Sequence, residues 1–435
     1  MIQALKASAF SAAFAFQELL IVFSFPFILP AQEASTPLAL KAARLFDAEA
    51  GAMRTDKIVL ISGEKIAALQ NANAPLPANV KLIDLGDATL LPGLIDAHSH
   101  LLLHPYNEAS WNDQVLKESL ALRTARAVVH AEKTLRAGFT TLRDLGTEGG
   151  DYADVGIRDA INQGIIMGPR LQVATRAIVI TGGYGPAGFD PRWEVPQGAE
   201  VADGVEGVRK AVRRQIGHGA DWIKVYADYR HGGVNAPTFT VEELRAAVDE
   251  AAATGRFVVA HASTSEGIRR AVLAGIKSIE HGSEANDEVL QMMANNGVAF
   301  CPTLAAREAI ASYAAESERA VQQQRVQAQK EMFQRALKHG VNIVCGSDVG
   351  VFQHGENAWE IELMVAYGMS PGQALQAATI RAAQLLGWQD RLGTLAPNKI
   401  ADMIAVKGNP LTEIRRLREV VFVMKGGKIF RQELQ

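Results

Sequence analysis

Cysteine is almost missing from this chain: Cys301 and Cys345 are the only two in 435 residues. Two thiols build no disulfide framework, so nothing of that kind assigns the chain to an oxidising compartment. Both sit in apolar segments (298–301 and 343–345) and read as small buried hydrophobes. An excess of either charge is missing as well. With 44 Lys and Arg against 47 Asp and Glu, the net charge is -3, which gives no basic footprint for nucleic acid. The apolar run at 19–30 stops well short of the roughly 20 residues that cross a membrane. There is no tandem repeat, and the 16 prolines mark no low-complexity tract. What is left is the composition of an ordinary soluble enzyme, 48% hydrophobic and 21% charged. Its length suits one large domain and a smaller one.

The run at 19–30 is followed by small residues at 31–35 and reads as the core of a secretory signal peptide. Lys6 is the basic residue before it, and Glu18 borders it. Residues 1–34 are therefore set apart as a signal peptide. The protein is then exported, periplasmic or secreted; if the segment is not a signal peptide, it is cytoplasmic.

Short apolar runs split by turns follow, as in Lys57–Ile61 and Ile66–Leu69 around Ser62-Gly63-Glu64-Lys65. The C-terminal end looks alike, with runs at 403–406 and 420–424 and a hairpin turn at Lys425-Gly426-Gly427-Lys428. A small β-sandwich domain is predicted from both ends, residues 35–90 plus 391–435. Between them, residues 91–390 alternate short apolar runs with helical patterns, which predicts parallel βα units. The candidate strands are 91–97, 140–144, 170–174, 222–226, 257–260, 278–280, 299–302 and 342–346. Helical patterns include 121–137, 241–254, 265–274 and 319–339. Eight units predict an α/β fold, a (β/α)8 TIM barrel, whose chemistry sits at the C-terminal ends of its strands.

The polar residues at those ends are His98 and His100, Lys224 within its strand, His261, His281 and Asp348. His98 and His100 are spaced i, i+2 and would share one face of a strand, a ready site for a divalent metal. Taken singly, His261 or His281 fits a satisfied core histidine, Asp348 a helix N-cap, and Lys224 a snorkelling side chain. Taken together at the ends of different strands, they point to one metal centre. An ammonium has no lone pair for a metal. Lys224 becomes a ligand only as a neutral amine or as the carbamate made with carbon dioxide.

The chain resembles the amidohydrolase superfamily over roughly residues 36–432. The likeness is carried by Pro92-Gly93-Leu94-Ile95-Asp96-Ala97-His98-Ser99-His100, Lys224, His261, His281, Gly346-Ser347-Asp348, and the tail from Gly393-Thr394-Leu395 to Ala401-Asp402. Trp222-Ile223-Lys224-Val225-Tyr226, Thr181-Gly182-Gly183-Tyr184-Gly185 and the stretch from Asp348 to Gly355 narrow it to a dinuclear-metal branch. That branch holds Xaa-Pro dipeptidases, carboxypeptidases acting on C-terminal Arg or Lys, and ochratoxin amidases.

The resemblance implies two divalent metals, zinc foremost. One would be held by His98, His100 and Asp348, the other by His261 and His281. N6-carboxylated Lys224 and a hydroxide would bridge them, with Asp348 as the catalytic proton carrier. It also implies a hydrolase for the amide bond of a small dipeptide or N-acyl amino acid with a free C-terminal carboxylate. Tyr226, Arg230 and His231 are the residues expected to receive that carboxylate, with His104, Tyr184 and His354 also lining the substrate pocket. Rival readings are a lactonase or esterase, a deaminase or imidazolonepropionase-like cyclic amide hydrolase, and a non-catalytic binding relative. No nucleic-acid partner is expected; members of the family often assemble, which leaves a homo-oligomer open.

Overall fold

The computed structural model of the chain describes residues 37–190, 192–231 and 234–433. The signal-peptide reading of 1–34 lies outside the described residues, as do the side chains of Arg230 and His231.

The fold is α/β. Three parallel strands, Leu94–Ser99, Phe139–Asp144 and Arg170–Val173, form one sheet. A second, parallel sheet runs in the order Glu200–Val201, Ile178–Val179, Trp222–Tyr226, Phe257–Thr264, Ser278–Glu284, Ala299–Cys301 and Asn342–Ile343. Main-chain hydrogen bonds join the two sheets on both sides. The Asp221 amide donates to the Val173 carbonyl (2.8 Å), and the Ala97 amide donates to the Cys345 carbonyl (2.8 Å).

Successive residues along these strands face two different apolar layers, as a pleat demands. Ile223, Val225, Val258, Ala260, Ile279, Phe300 and Ile343 pack with helix residues such as Leu135, Leu244, Ile268 and Met332. Ile95, Ala97, Trp222, Val259, Ala299 and Val344 form a separate cluster on the other face. Both faces are covered, so the strands read as nearly continuous apolar runs. Each large side chain fully buried this way contributes about 2 kcal/mol.

The helices start where their caps say. Val241–Ala252 begins after Thr240, whose hydroxyl accepts from the Glu243 amide in a capping box. Ser265–Ala274 runs from the Thr264 cap to Gly275 at φ 91.

Strands from both ends of the described chain make two further sheets. One holds Leu38–Lys41, Lys57–Ser62, Lys65–Asn71 and Lys81–Asp84; the other holds Arg44–Asp47, Ala52–Arg54, Ala88–Pro92, Met403–Lys407, Val420–Lys425 and Lys428–Gln432. Leu40, Val59 and Ile61 of the first share a buried cluster with Leu90, Met403 and Phe422 of the second.

One boundary moves. The strand expected at 91–97 is two strands split at Gly93. Leu91 and Pro92 pair with Ile404 and Met403, whereas Leu94 pairs with Phe139. A side chain at Gly93 would put its Cβ 2.1 Å from Thr140 Oγ1, so the turn between the two sheets has room only for glycine. The last strand is also shorter than expected. After Ile343 the backbone changes neighbour: the Val344 amide still donates to Phe300, but the Cys345 carbonyl accepts from Ala97. Cys301 and Cys345 are buried and free, as expected.

Candidate metal centre

Lys224 and His261 reach the site through simple alternation. Trp222 faces the inner cluster, so Lys224, two residues on, faces the same way; Val259 does the same for His261. His281 breaks this rule. It follows Glu280, which is already on the inner face, and only its left-handed φ of 75° turns it toward the same cavity. Asp348 has φ 60°. Gly346 lets this loop close in, since a Cβ there would stand 2.9 Å from His98 Cβ.

His98, His100, Lys224, His261, His281 and Asp348 line one cavity of about 300 Å³. His98 Nε2 and His100 Nε2 lie 3.3 Å apart, and Asp348 Oδ1 lies 3.6 Å and 3.3 Å from them. The His281 ring centre is 5.1 Å from that of His98 and 4.4 Å from that of His261. His98, His281 and Asp348 each offer one donor atom within 4.8 Å of the others. The donors thus form one continuous cluster.

The outer ring nitrogens are already committed. His98 Nδ1 donates to Glu280 Oε2 (2.7 Å), His100 Nδ1 donates to the Gly146 carbonyl (2.9 Å), and His281 Nδ1 lies 2.8 Å from Thr303 Oγ1. With Nδ1 occupied, each ring turns Nε2 to the cavity. This is the orientation that metal-ligating histidines require.

The electrostatics agree with a cation site. Burial keeps His98, His261 and His281 below the usual imidazole range, helped by the Lys224 charge. They are therefore neutral, the form that binds metal. Burial also opposes charge on His100, but the Asp348 carboxylate overrides it and pushes His100 up to about 9. The carboxylate draws in a proton where a metal ion would otherwise supply positive charge. For Asp348, burial works upward, and His98 and His100 hold the carboxyl below its ordinary range. Burial lowers the Lys224 ammonium, against the pull of Glu280 and Asp348. Imidazoles, a carboxylate and a buried amine make a donor set that fits divalent metals.

Of the substrate residues expected from the sequence, Tyr184 and Tyr226 line the cavity. Tyr226 stacks on His261, with ring centres 4.5 Å apart, and Tyr184 donates to Glu148. His104 and His354 do not line it. His104 is held by Glu108 on Nδ1 and Glu118 on Nε2, each at 2.9 Å. His354 stacks on His130 and bonds the Leu103 carbonyl at 3.0 Å.

Glu280, Glu148 and Arg307 were not read from the sequence. Glu280 could have been found by alternation, because Ser278 and Glu280 share the face opposite Ile279. Burial pushes its carboxyl up, yet the Arg143 guanidinium and His98 hold it at about 2. Arg143 Nη2 donates to it at 3.0 Å, with both side chains fully buried. Glu280→Gln would leave that guanidinium without its anion, at a cost of about 3 kcal/mol. A melting curve should fall by several degrees, and metal affinity should drop about tenfold or more as His98 loses its partner. An unchanged melting point would show that the pair adds nothing to stability.

The model of the amidohydrolase family matches residues 89–430. The ochratoxinase of Aspergillus niger is 35% identical over 413 residues, spanning 86% of this chain and 82% of that protein. A crystal structure of a Xaa-Pro dipeptidase with methionine bound in the active site superposes with a TM-score of 0.83 at 34% identity, covering 91% of this chain and 100% of the other. A prolidase crystallised with N-methylphosphonate-L-proline gives 0.81 at 29% identity, covering 92% and 100%.

Proposed function

The chain belongs to the amidohydrolase family and is a hydrolase of amide bonds, and from that premise we propose that it cleaves dipeptides or N-acyl amino acids with a free C-terminal carboxylate, using two zinc ions. The observation that carries this reading is the single cavity lined by all six donors, with the outer nitrogens of His98, His100 and His281 already engaged. The architecture in this reading is a closed (β/α)8 barrel flanked by a β-sandwich. The main-chain bonds from Ala97 to Cys345 and from Asp221 to Val173 support closure, and the cluster shared by Leu40, Val59 and Phe422 supports the sandwich.

His98, His100 and Asp348 would hold one ion, and His261 and His281 the other. Lys224 would complete the donor set as a carbamate: its neutral amine would add to carbon dioxide, release one proton and leave an anion with two oxygens. The lowered Lys224 ammonium favours the amine that reacts. Bound there, the metal pair supplies Lewis acidity toward the amide oxygen and acidifies the attacking water. Asp348 is held ionised by its histidine neighbours. Its carboxylate takes a proton from the attacking water and returns it to the departing nitrogen. Tyr184 and Tyr226 line the cavity beside His261, where the acyl part of the substrate would lie, and the cavity matches a dipeptide in size.

A panel of unblocked dipeptides, N-acyl amino acids, their C-terminal carboxamides and matched esters tests the reading, with metal measured on the same sample. Free acids should be hydrolysed about tenfold or more faster than carboxamides, by protein holding two metals per chain. Equal rates on acids and carboxamides, faster cleavage of esters than amides, or metal-free protein would overturn it.

A further inference from the structure

Arg307 is a cation lining the cavity that makes no ion pair among the described residues. It lies on the helix Leu304–Tyr313, which follows the strand Ala299–Cys301. That helix is fixed in place: the Ala305 amide donates to Glu360 Oε2 at 2.8 Å, and Gln329 donates to the Pro302 carbonyl at 2.6 Å. Leu304, Ala305, Ala306 and Ala309 are buried, so the helix presents Arg307 and Ile310 to the cavity on a rigid support. Among the described residues, no hydrogen bond or ion pair ends on Arg307. The charge of Arg325 acts on it as well, and two neighbouring like charges raise the cost of leaving it unpaired. Asp348 and Glu284 attract it only at longer range, and its own charge is felt at His281. The guanidinium therefore stands beside the His281–Asp348 side of the metal centre.

A second carboxylate, besides Asp348, lines the cavity near His100. Glu148 is buried beside His100, 3.9 Å from its Nδ1, and accepts from Trp111 and Tyr184. An anionic group would be repelled there and drawn to Arg307.

We propose that Arg307 receives the free carboxylate of the substrate's C-terminal residue, so that the acyl part points toward His100, Tyr184 and Tyr226. This inference rests on the free-carboxylate reading above and replaces the Arg230 and His231 loop as the anchor. The planar guanidinium can meet both carboxylate oxygens, beside the apolar lining residues Ala306 and Ile310. Arg307 is thereby a specificity-determining residue, and its loss should appear in substrate binding more than in turnover.

The test uses the metal-loaded protein with Arg307→Gln and Arg307→Lys. The substrates are the best-cleaved unblocked dipeptide of the panel and its C-terminal carboxamide. Arg307→Gln should lower kcat/KM on the acid about a hundredfold, chiefly through KM. It should leave the carboxamide rate and the metal content unchanged, with Arg307→Lys in between. Calorimetric titration with the product amino acid should show the same loss of affinity. A parent that cleaves acid and carboxamide equally overturns the free-carboxylate reading itself. A parent that prefers the acid, with that preference intact in Arg307→Gln or with equal losses on both substrates, overturns the Arg307 assignment alone.

Discussion

Lys224→Ala should abolish hydrolysis, by about a thousandfold or more, and bring bound metal below two ions per chain. The reason is chemical before it is structural. Lys224 is the central residue of Trp222–Tyr226, a strand buried at every position. Its side chain is almost fully buried at the wall of the cavity, and burial weakens its hold on a proton. A lysine kept there only for packing would be an expensive choice, since methionine fills the same volume with no polar group to satisfy. Removing it should therefore not unfold the protein, and near-UV circular dichroism should match the parent. Lys224→Met separates packing from ligation: it restores the volume but supplies no oxygen. Both variants should lose metal and activity alike. Reconstitution gives a second readout. Metal-free parent protein refilled with zinc in buffer stripped of carbon dioxide should recover slowly, and bicarbonate should speed recovery. A Lys224→Ala protein with two ions and normal turnover would end the bridging role.

One rule accounts for much of what could be read in advance. Where a strand keeps its pleat, residue types at i and i+2 predict the face, and this places Lys224 with Trp222 and His261 with Val259. The strand Trp222–Tyr226 and the helix Ser265–Ala274 also have the expected bounds. Where the backbone enters the left-handed region the rule fails. His281 has the wrong parity for the cavity and reaches it by φ 75°. It was legible as the polar residue that follows its apolar strand, not from its parity. The same parity rule would have selected Glu280, a residue hidden by its rank as an ordinary strand acid. Charge partners are a further limit. His104 is exhausted by Glu108 and Glu118, the second 14 residues away along the chain, and Arg307 has no such partner among the described residues. Neither pairing nor its absence is written in residue spacing, because both depend on how loops from different strands converge.

Asp348→Asn should lower kcat by about a thousandfold, within the range expected for loss of a positioned proton carrier. The amide oxygen still points a lone pair at the site, so metal content should fall far less than in Lys224→Ala. KM should change little, because the side chain contacts His98 and His100 rather than the binding end of the cavity. A loss of this size has two possible origins: a weakened ligand, or a proton with nowhere to go. The leaving group separates them. An amine cannot depart until its nitrogen is protonated, whereas the alkoxide of a matched ester needs that help much less. If Asp348 carries the proton, the Asn variant should be about tenfold less impaired on the ester than on the amide. If Asp348 only holds metal, both substrates lose the same factor, since the attacking water is then equally handicapped for each. Equal losses would leave the metal cluster intact as a finding and assign the proton to another group, of which Glu148, buried beside His100, is the nearest carboxylate lining the same cavity.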